Sequence, residues 1–149
     1  MKFLSVHDLL KQYLEEGRIK VDKSIHQELT TYHDPCNYGR KSERTFGHGY
    51  YEEPRWITQQ CCENFVDMYP NRANNFCCGA GGARMWQEEK IGNRINHNRV
   101  TEIVELGVDR VATACPFCLT MISDGLKDKN QEQIQALDIA EIVAESLSS

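Results

Sequence analysis

Arg110-Val111-Ala112-Thr113-Ala114-Cys115-Pro116-Phe117-Cys118 joins two kinds of local structure within nine residues. Its first half is β-branched or small, as in a buried strand. The segment after Cys115 reads as a helix from about Pro116 to Lys127. The same arrangement recurs upstream, where Leu29-Thr30-Thr31-Tyr32-His33 reads as a strand and proline in Asp34-Pro35-Cys36 ends its ladder. A helix is expected from about Glu53 to Met68, since Ile57, Cys61, Phe65 and Met68 share one face at helical spacing. A short strand at Ala73–Phe76 is expected to lead into Cys77-Cys78-Gly79-Ala80-Gly81-Gly82. A helix from Arg84 to Leu106 should follow, with Ile91, Ile95, Ile103 and Val104 on its apolar face and Gly107 as its stop. Ile134–Leu137 is a last strand, and Asp138 with Glu141 forms a capping pair that opens a last helix. At the other end, Val6, Leu9, Leu10, Tyr13 and Leu14 mark a helix capped by Ser5 and Asp8, with Gly17 beyond it. The polar stretch Lys41–Tyr51 reads as loop.

Four strands alternating with helices imply βαβ units. The expected fold is α/β: a parallel, four-stranded, Rossmann-like sheet flanked by helices. In that arrangement Cys36, Cys77-Cys78 and Cys115 all follow the C-terminal ends of strands, the edge at which open α/β sheets bind ligands.

The 149 residues make one ordinary domain. With 17 Lys+Arg against 22 Asp+Glu the net charge is −5, which argues against nucleic-acid binding. No apolar run reaches membrane-spanning length. The opening Met1–Asp8 meets an acid too soon for a secretory signal, so a cytoplasmic location is expected. Seven cysteines in such a chain point to metal or redox chemistry and away from a disulfide framework.

Five of them fall in the pattern C-x40-C-C-x36-C-x2-C. Cys115 and Cys118 stand at a helix start, where the dipole favours thiolate. Alone they fit a thioredoxin-like dithiol or half of a metal site. Adjacent Cys77 and Cys78 form a disulfide only with strain, but two thiolates can bind different irons of one cluster. Four of the five could instead close a tetrahedral zinc site, leaving a fifth in surplus. Gly79, Gly81 and Gly82 lack the rest of a phosphate-binding motif; they read as a place where backbone N–H groups approach sulfides closely. Cys61 and Cys62 stand apart, as core residues or as auxiliary thiols. His33 reads as a hydrogen-bond donor beside the site, a proton source for it, or a packed histidine. His7, His26, His48 and His97 read as surface residues. Arg40, Arg44 and Arg84 flank the cysteine segments, either offsetting thiolate charge or simply solvated.

Taken together, His33-Asp34-Pro35-Cys36, Cys77-Cys78-Gly79 and Cys115-Pro116-Phe117-Cys118 resemble the cysteine-rich CCG domain of heterodisulfide reductase catalytic subunits and related iron–sulfur oxidoreductases. The resemblance divides the chain into an N-terminal helix and lead-in at 1–28 and a CCG domain at 29–149. It implies a noncubane 4Fe-4S cluster held by Cys36, Cys77, Cys78, Cys115 and Cys118, and disulfide-type bonds cleaved or formed by one-electron steps. The first gap, of forty residues, is a little long for the family. The ferredoxin-like domain that usually accompanies such domains is missing from the pattern. The expectation is therefore a C-terminal part or separate subunit, fed by a ferredoxin-like iron–sulfur subunit or a membrane quinone-linked complex. It would act on a disulfide or thiol substrate and be cytoplasmic, or peripheral to the membrane through its partner. Thr45–Tyr51 is the expected docking loop.

Overall fold

The computed structural model describes residues 4–89 and 92–148. Four parallel strands form one sheet: β1 (Leu29–His33), β2 (Asn64–Phe65), β3 (Arg110–Thr113) and β4 (Gln135–Asp138), in the order β2-β1-β3-β4. Thr30 to His33 pair with Arg110 to Thr113, and Arg110 to Thr113 pair with Gln135 to Asp138. From β1 the chain crosses outward to β2, then returns past β1 to place β3 on its other side. The strand order thus reverses between β1 and β3, and the crevice beyond their C-terminal ends is where such sheets bind ligands.

Helices cover both faces. Helix α1 (Val6–Glu15), α3 (Glu52–Cys61) and α6 (Ile139–Ser146) lie on one side, over a core of Tyr32, Ile57, Cys61, Cys62, Ala112, Ile139 and Ile142. Helix α4 (Ile95–Leu106) and α5 (Pro116–Asp128) lie on the other, over Met68, Val100, Ile103, Val111, Ile122 and Leu126. Adjacent Val111 and Ala112 serve opposite cores, as the two-residue period of a strand requires. Both expected capping boxes form, Ser5 with Asp8 and Asp138 with Glu141.

The middle of the chain departs from expectation. The helix expected over Glu53–Met68 ends at Cys61. Asn64 and Phe65 join the sheet opposite Leu29 and Thr30, and the Val66 N–H donates to the Thr30 carbonyl at 3.0 Å. Phe65 packs with the first core and Met68 with the second, so no single helix face could have served both. The strand expected at Ala73–Phe76 is replaced by a 3-10 turn at Arg72–Asn74, and the sheet gains its second strand from 64–65. Cys77-Cys78 therefore follows an irregular segment, not a strand end. The helix expected from Arg84 begins only at Ile95, and Arg84–Trp86 is a single 3-10 turn. Ile91, expected on its apolar face, lies outside the described residues. A π-helical turn (Asn37–Lys41) continues into α2 (Ser42–Phe46), which lies inside the expected loop of 41–51 and which Gly47 ends in the left-handed conformation.

Gly125 sets how closely α4 and α5 approach. A Cβ there would lie 2.7 Å from Val100 Cγ2 and 2.9 Å from Asn96 Nδ2. Because α5 carries Cys118, this contact also fixes where that thiol sits. Gly125→Ala is expected to destabilise the protein by about 1–3 kcal/mol through overpacking. Thermal unfolding followed by circular dichroism measures it; an unchanged melting temperature would show that the pair is not close-packed.

Candidate metal centre

The site begins at the end of β1. Asp34 is buried and forms a two-pronged ion pair with Arg55 of α3, Nη1 to Oδ1 and Nη2 to Oδ2, both at 2.6 Å. Arg55 also donates to Asp67 and to the Tyr51 carbonyl, so each of its nitrogens is bonded. This fixes the peptide that turns through Pro35 to Cys36. The irregular segment before Cys77 is tied to the same point. The Arg72 N–H donates to Asp34 Oδ2 at 2.7 Å, and Asn75 Nδ2 donates to the Asp34 carbonyl. Arg40 in turn donates to the carbonyls of Ala73 and Asn75. Hydrogen bonds to one aspartate thus do the work expected of a strand.

The five cysteines of the spaced pattern line one cavity of about 240 Å3. Cys78 and Cys118 are buried, while Cys36, Cys77 and Cys115 are partly exposed. Cys118 Sγ lies 3.3 Å from Cys78 Sγ and donates to it. Gly81 and Gly82 form part of the wall, together with Met85 and Trp86. Gly79 does not line the cavity. Its N–H donates to Cys77 Sγ at 3.4 Å, and with φ of +87° it packs on α4, where a Cβ would come within 2.9 Å of Ile95 Cβ. His33 is fully buried, with its Nδ1 accepting from Arg99 Nε at 3.0 Å. Burial lowers its pKa, the Cys78 sulfur beside it opposes that, and the Arg99 charge lowers it further.

Negative charge is distributed unevenly among the thiols. Hydrogen bonds from Cys118 and Cys77 hold the Cys78 pKa far below the ordinary thiol value, and His33 adds to the effect. The Cys118 side chain, with backbone N–H groups of Cys118 and Phe117 at the start of α5, lowers Cys115 to about 6. Cys77 and Cys118, as the donors, are pushed up. Soft, thiolate-rich donor sets of this kind suit iron–sulfur clusters or zinc. The donor set and the shared cavity fit a cluster.

Cys61 and Cys62 lie elsewhere. They precede β2 at the N-terminal edge of the sheet and pack in the first core, and burial pushes Cys61 up to about 11. Two histidines expected at the surface are buried: His7 bonds to the Tyr38 hydroxyl at 2.9 Å, and His26 lies against Arg110. Arg84 pairs with Glu89, while Arg44 stands with Arg40 and Lys41 along a groove beside Cys36. Sequence reasoning missed Arg55, Arg99 and Asn75. For Arg99 a signal existed, because it stands four residues before buried Ile103 on the inward face of a helix.

The lowered Cys115 pKa has a direct readout. In metal-free protein its thiolate dominates above about pH 6, so its alkylation by iodoacetamide should fall away only as the pH drops through 6. Cys61 should remain unreactive at neutral pH. Mass spectrometry of pulse-alkylated peptides measures both. A Cys115 rate that instead falls between pH 9 and 8 would contradict the geometry.

Residues 30–123 match the cysteine-rich domain family, CCG. The chain is 34% identical over 142 residues to the probable iron-sulfur-binding oxidoreductase FadF of Bacillus subtilis, covering 94% of this chain and 19% of that protein. It is 35% identical over 144 residues to the EtfAB:quinone oxidoreductase of Syntrophomonas wolfei, covering 91% and 19%. It is 32% identical over 145 residues to one of the subunits of the dihydromethanophenazine:CoB–CoM heterodisulfide reductase of Methanosarcina barkeri, covering 97% and 34%. The chain thus spans about a fifth to about a third of the length of these relatives. Among the described residues no helix is long and apolar enough to cross a membrane. With its three cysteine segments brought to one cavity and its family match running from β1 into α5, this chain belongs to the cysteine-rich CCG domain family.

Proposed function

We propose that the chain is the iron–sulfur domain of a heterodisulfide reductase-like oxidoreductase. In this reading Cys36, Cys77, Cys78, Cys115 and Cys118 hold a noncubane 4Fe-4S cluster, at which a disulfide-type bond is cleaved or formed. The observation that carries the reading is the convergence of five thiols, from three distant segments, on one cavity at the sheet's switch point. When bound, the cluster would supply electrons singly and offer an iron able to take a further sulfur ligand. The protein's part is placement. Helix α5 favours the Cys115 thiolate through its first N–H groups. Gly81 and Gly82 leave the cavity wall free of side chains there.

A second, larger cavity of about 970 Å3 adjoins the first and shares Pro35, Asn37 and Cys115 with it. Tyr38, Phe46, His48 and Tyr50 give it an aromatic wall. Tyr38 and Tyr50 stack with centroids 4.4 Å apart and bond to Ser5 and Asp8, which holds the wall in place. This cavity is the route by which a thiol or disulfide substrate reaches the sulfur ligands. Phe46, His48 and Tyr50 also belong to the 45–51 stretch, the surface offered to an electron-donating partner. That partner is a ferredoxin-like iron–sulfur subunit or a membrane quinone-linked complex, so the domain would be cytoplasmic or held at the membrane through it.

The test is anaerobic purification with metal and acid-labile sulfide analysis, followed by EPR during titration with small thiols. Brown protein with iron and sulfide, and a paramagnetic signal altered by thiols, is the expected result. Colourless protein with stoichiometric zinc would overturn the redox reading. A cluster whose signal no thiol or disulfide alters, even with the partner present, would reduce the domain to an electron relay.

A further inference from the structure

Arg99 is fully buried on α4, and its contacts define a chain of hydrogen bonds that ends at His33, beside the cysteines. Nη1 donates to Glu102 at 2.7 Å and to the Pro70 carbonyl at 2.9 Å, which fixes the guanidinium. Nε donates to His33 Nδ1 at 3.0 Å. A guanidinium has donors only, so His33 Nδ1 must offer its lone pair. The one proton of a neutral imidazole then sits on Nε2. That atom is buried and makes no hydrogen bond of its own. A ring nitrogen of His33 and the sulfurs of Cys78 and Cys118 lie within 4.8 Å of one another, and with Nδ1 occupied by Arg99 the nitrogen left for the sulfurs is Nε2.

We propose that Arg99 locks His33 as an Nε2–H donor to the Cys78 thiolate, making His33 a positioning residue that tunes the metal centre. The alternatives each require breaking this arrangement. To ligate metal through Nε2 the ring would have to be an imidazolate. To relay a proton it would have to accept one at Nδ1, against the Arg99 N–H, or release its Nε2 proton and again become imidazolate. A hydrogen bond to a cysteine thiolate stabilises the more negative, reduced state, so this contact raises the reduction potential of whatever the thiolates hold.

The inference rests on the iron–sulfur reading, and the experiment separates the two. Cluster-loaded wild type, His33→Leu and His33→Gln are titrated redox-potentiometrically, with iron content measured in parallel. Pulsed EPR of the wild type detects any nitrogen bound to the cluster. The expected result is a lower midpoint potential in His33→Leu, a value near wild type in His33→Gln, which keeps an N–H donor, and no strongly coupled nitrogen. An unchanged potential in loaded His33→Leu, or the strong hyperfine coupling of a ligating imidazole, would overturn the inference while leaving the cluster reading intact. Should His33→Leu fail to fold, the wild-type pulsed EPR still decides between ligand and donor. A wild type without iron would overturn the underlying reading and this inference together.

Discussion

The ion pair between Asp34 and Arg55 joins two side chains that are each only 2% exposed. Removing both charges from water is costly, and such a pair holds only when its geometry is good and its remaining donors and acceptors are satisfied. Here they are. Asp34 receives two prongs from Arg55 and a backbone N–H from Arg72, and Arg55 directs its other donors to Asp67 and Tyr51. The pair lies between a core face and the metal centre. On one side Arg55 stands 5.1 Å from the Tyr32 ring; on the other, Asp34 is two residues from Cys36.

Placement of the thiols follows from this anchor and from topology. Parallel pairing of β1 and β3 sets Cys36 and Cys115 side by side at the switch point. Cys77 and Cys78 have no strand to deliver them, and bonds from Arg72 and Asn75 to Asp34 substitute for one. Cys118 is placed by α5, whose position depends on the close contact at Gly125. Three different constraints therefore converge on one cavity, and the charge each thiol carries is set by which neighbour donates to it. Behind the cavity, Arg99 and His33 extend the same logic one layer further from the sulfurs.

Sequence shows the parts of this that are local. Strands β1 and β3 are short runs whose residue types fit no other structure well, and both capping boxes are fixed by residues three apart. The five cysteines are legible by spacing and type, and the places of Cys36 and Cys115 on the rim by the alternation of elements. The middle of the chain is less legible, because helical spacing at Ile57, Cys61, Phe65 and Met68 is met by residues serving two different cores. Partners distant in sequence leave no local trace: Asp34 and Arg55 are 21 residues apart, and His33 and Arg99 are 66 apart. For the same reason, His7 and His26 look solvated until Tyr38 and Arg110 are placed beside them.

Whether one buried ion pair assembles the centre is tested most directly by iron and labile-sulfide content in Arg55→Met, set against Cys61→Ala. Breaking a buried pair from one side costs about 3–5 kcal/mol, because Asp34 is left charged and uncompensated. Truncating Cys61 in the far core costs on the order of 1 kcal/mol. If the pair is the anchor, Cys61→Ala retains its iron, whereas Arg55→Met loses it at temperatures where circular dichroism still reports a folded chain. Full iron occupancy in folded Arg55→Met would contradict this, and the thiols would then need no anchor beyond the strands and α5.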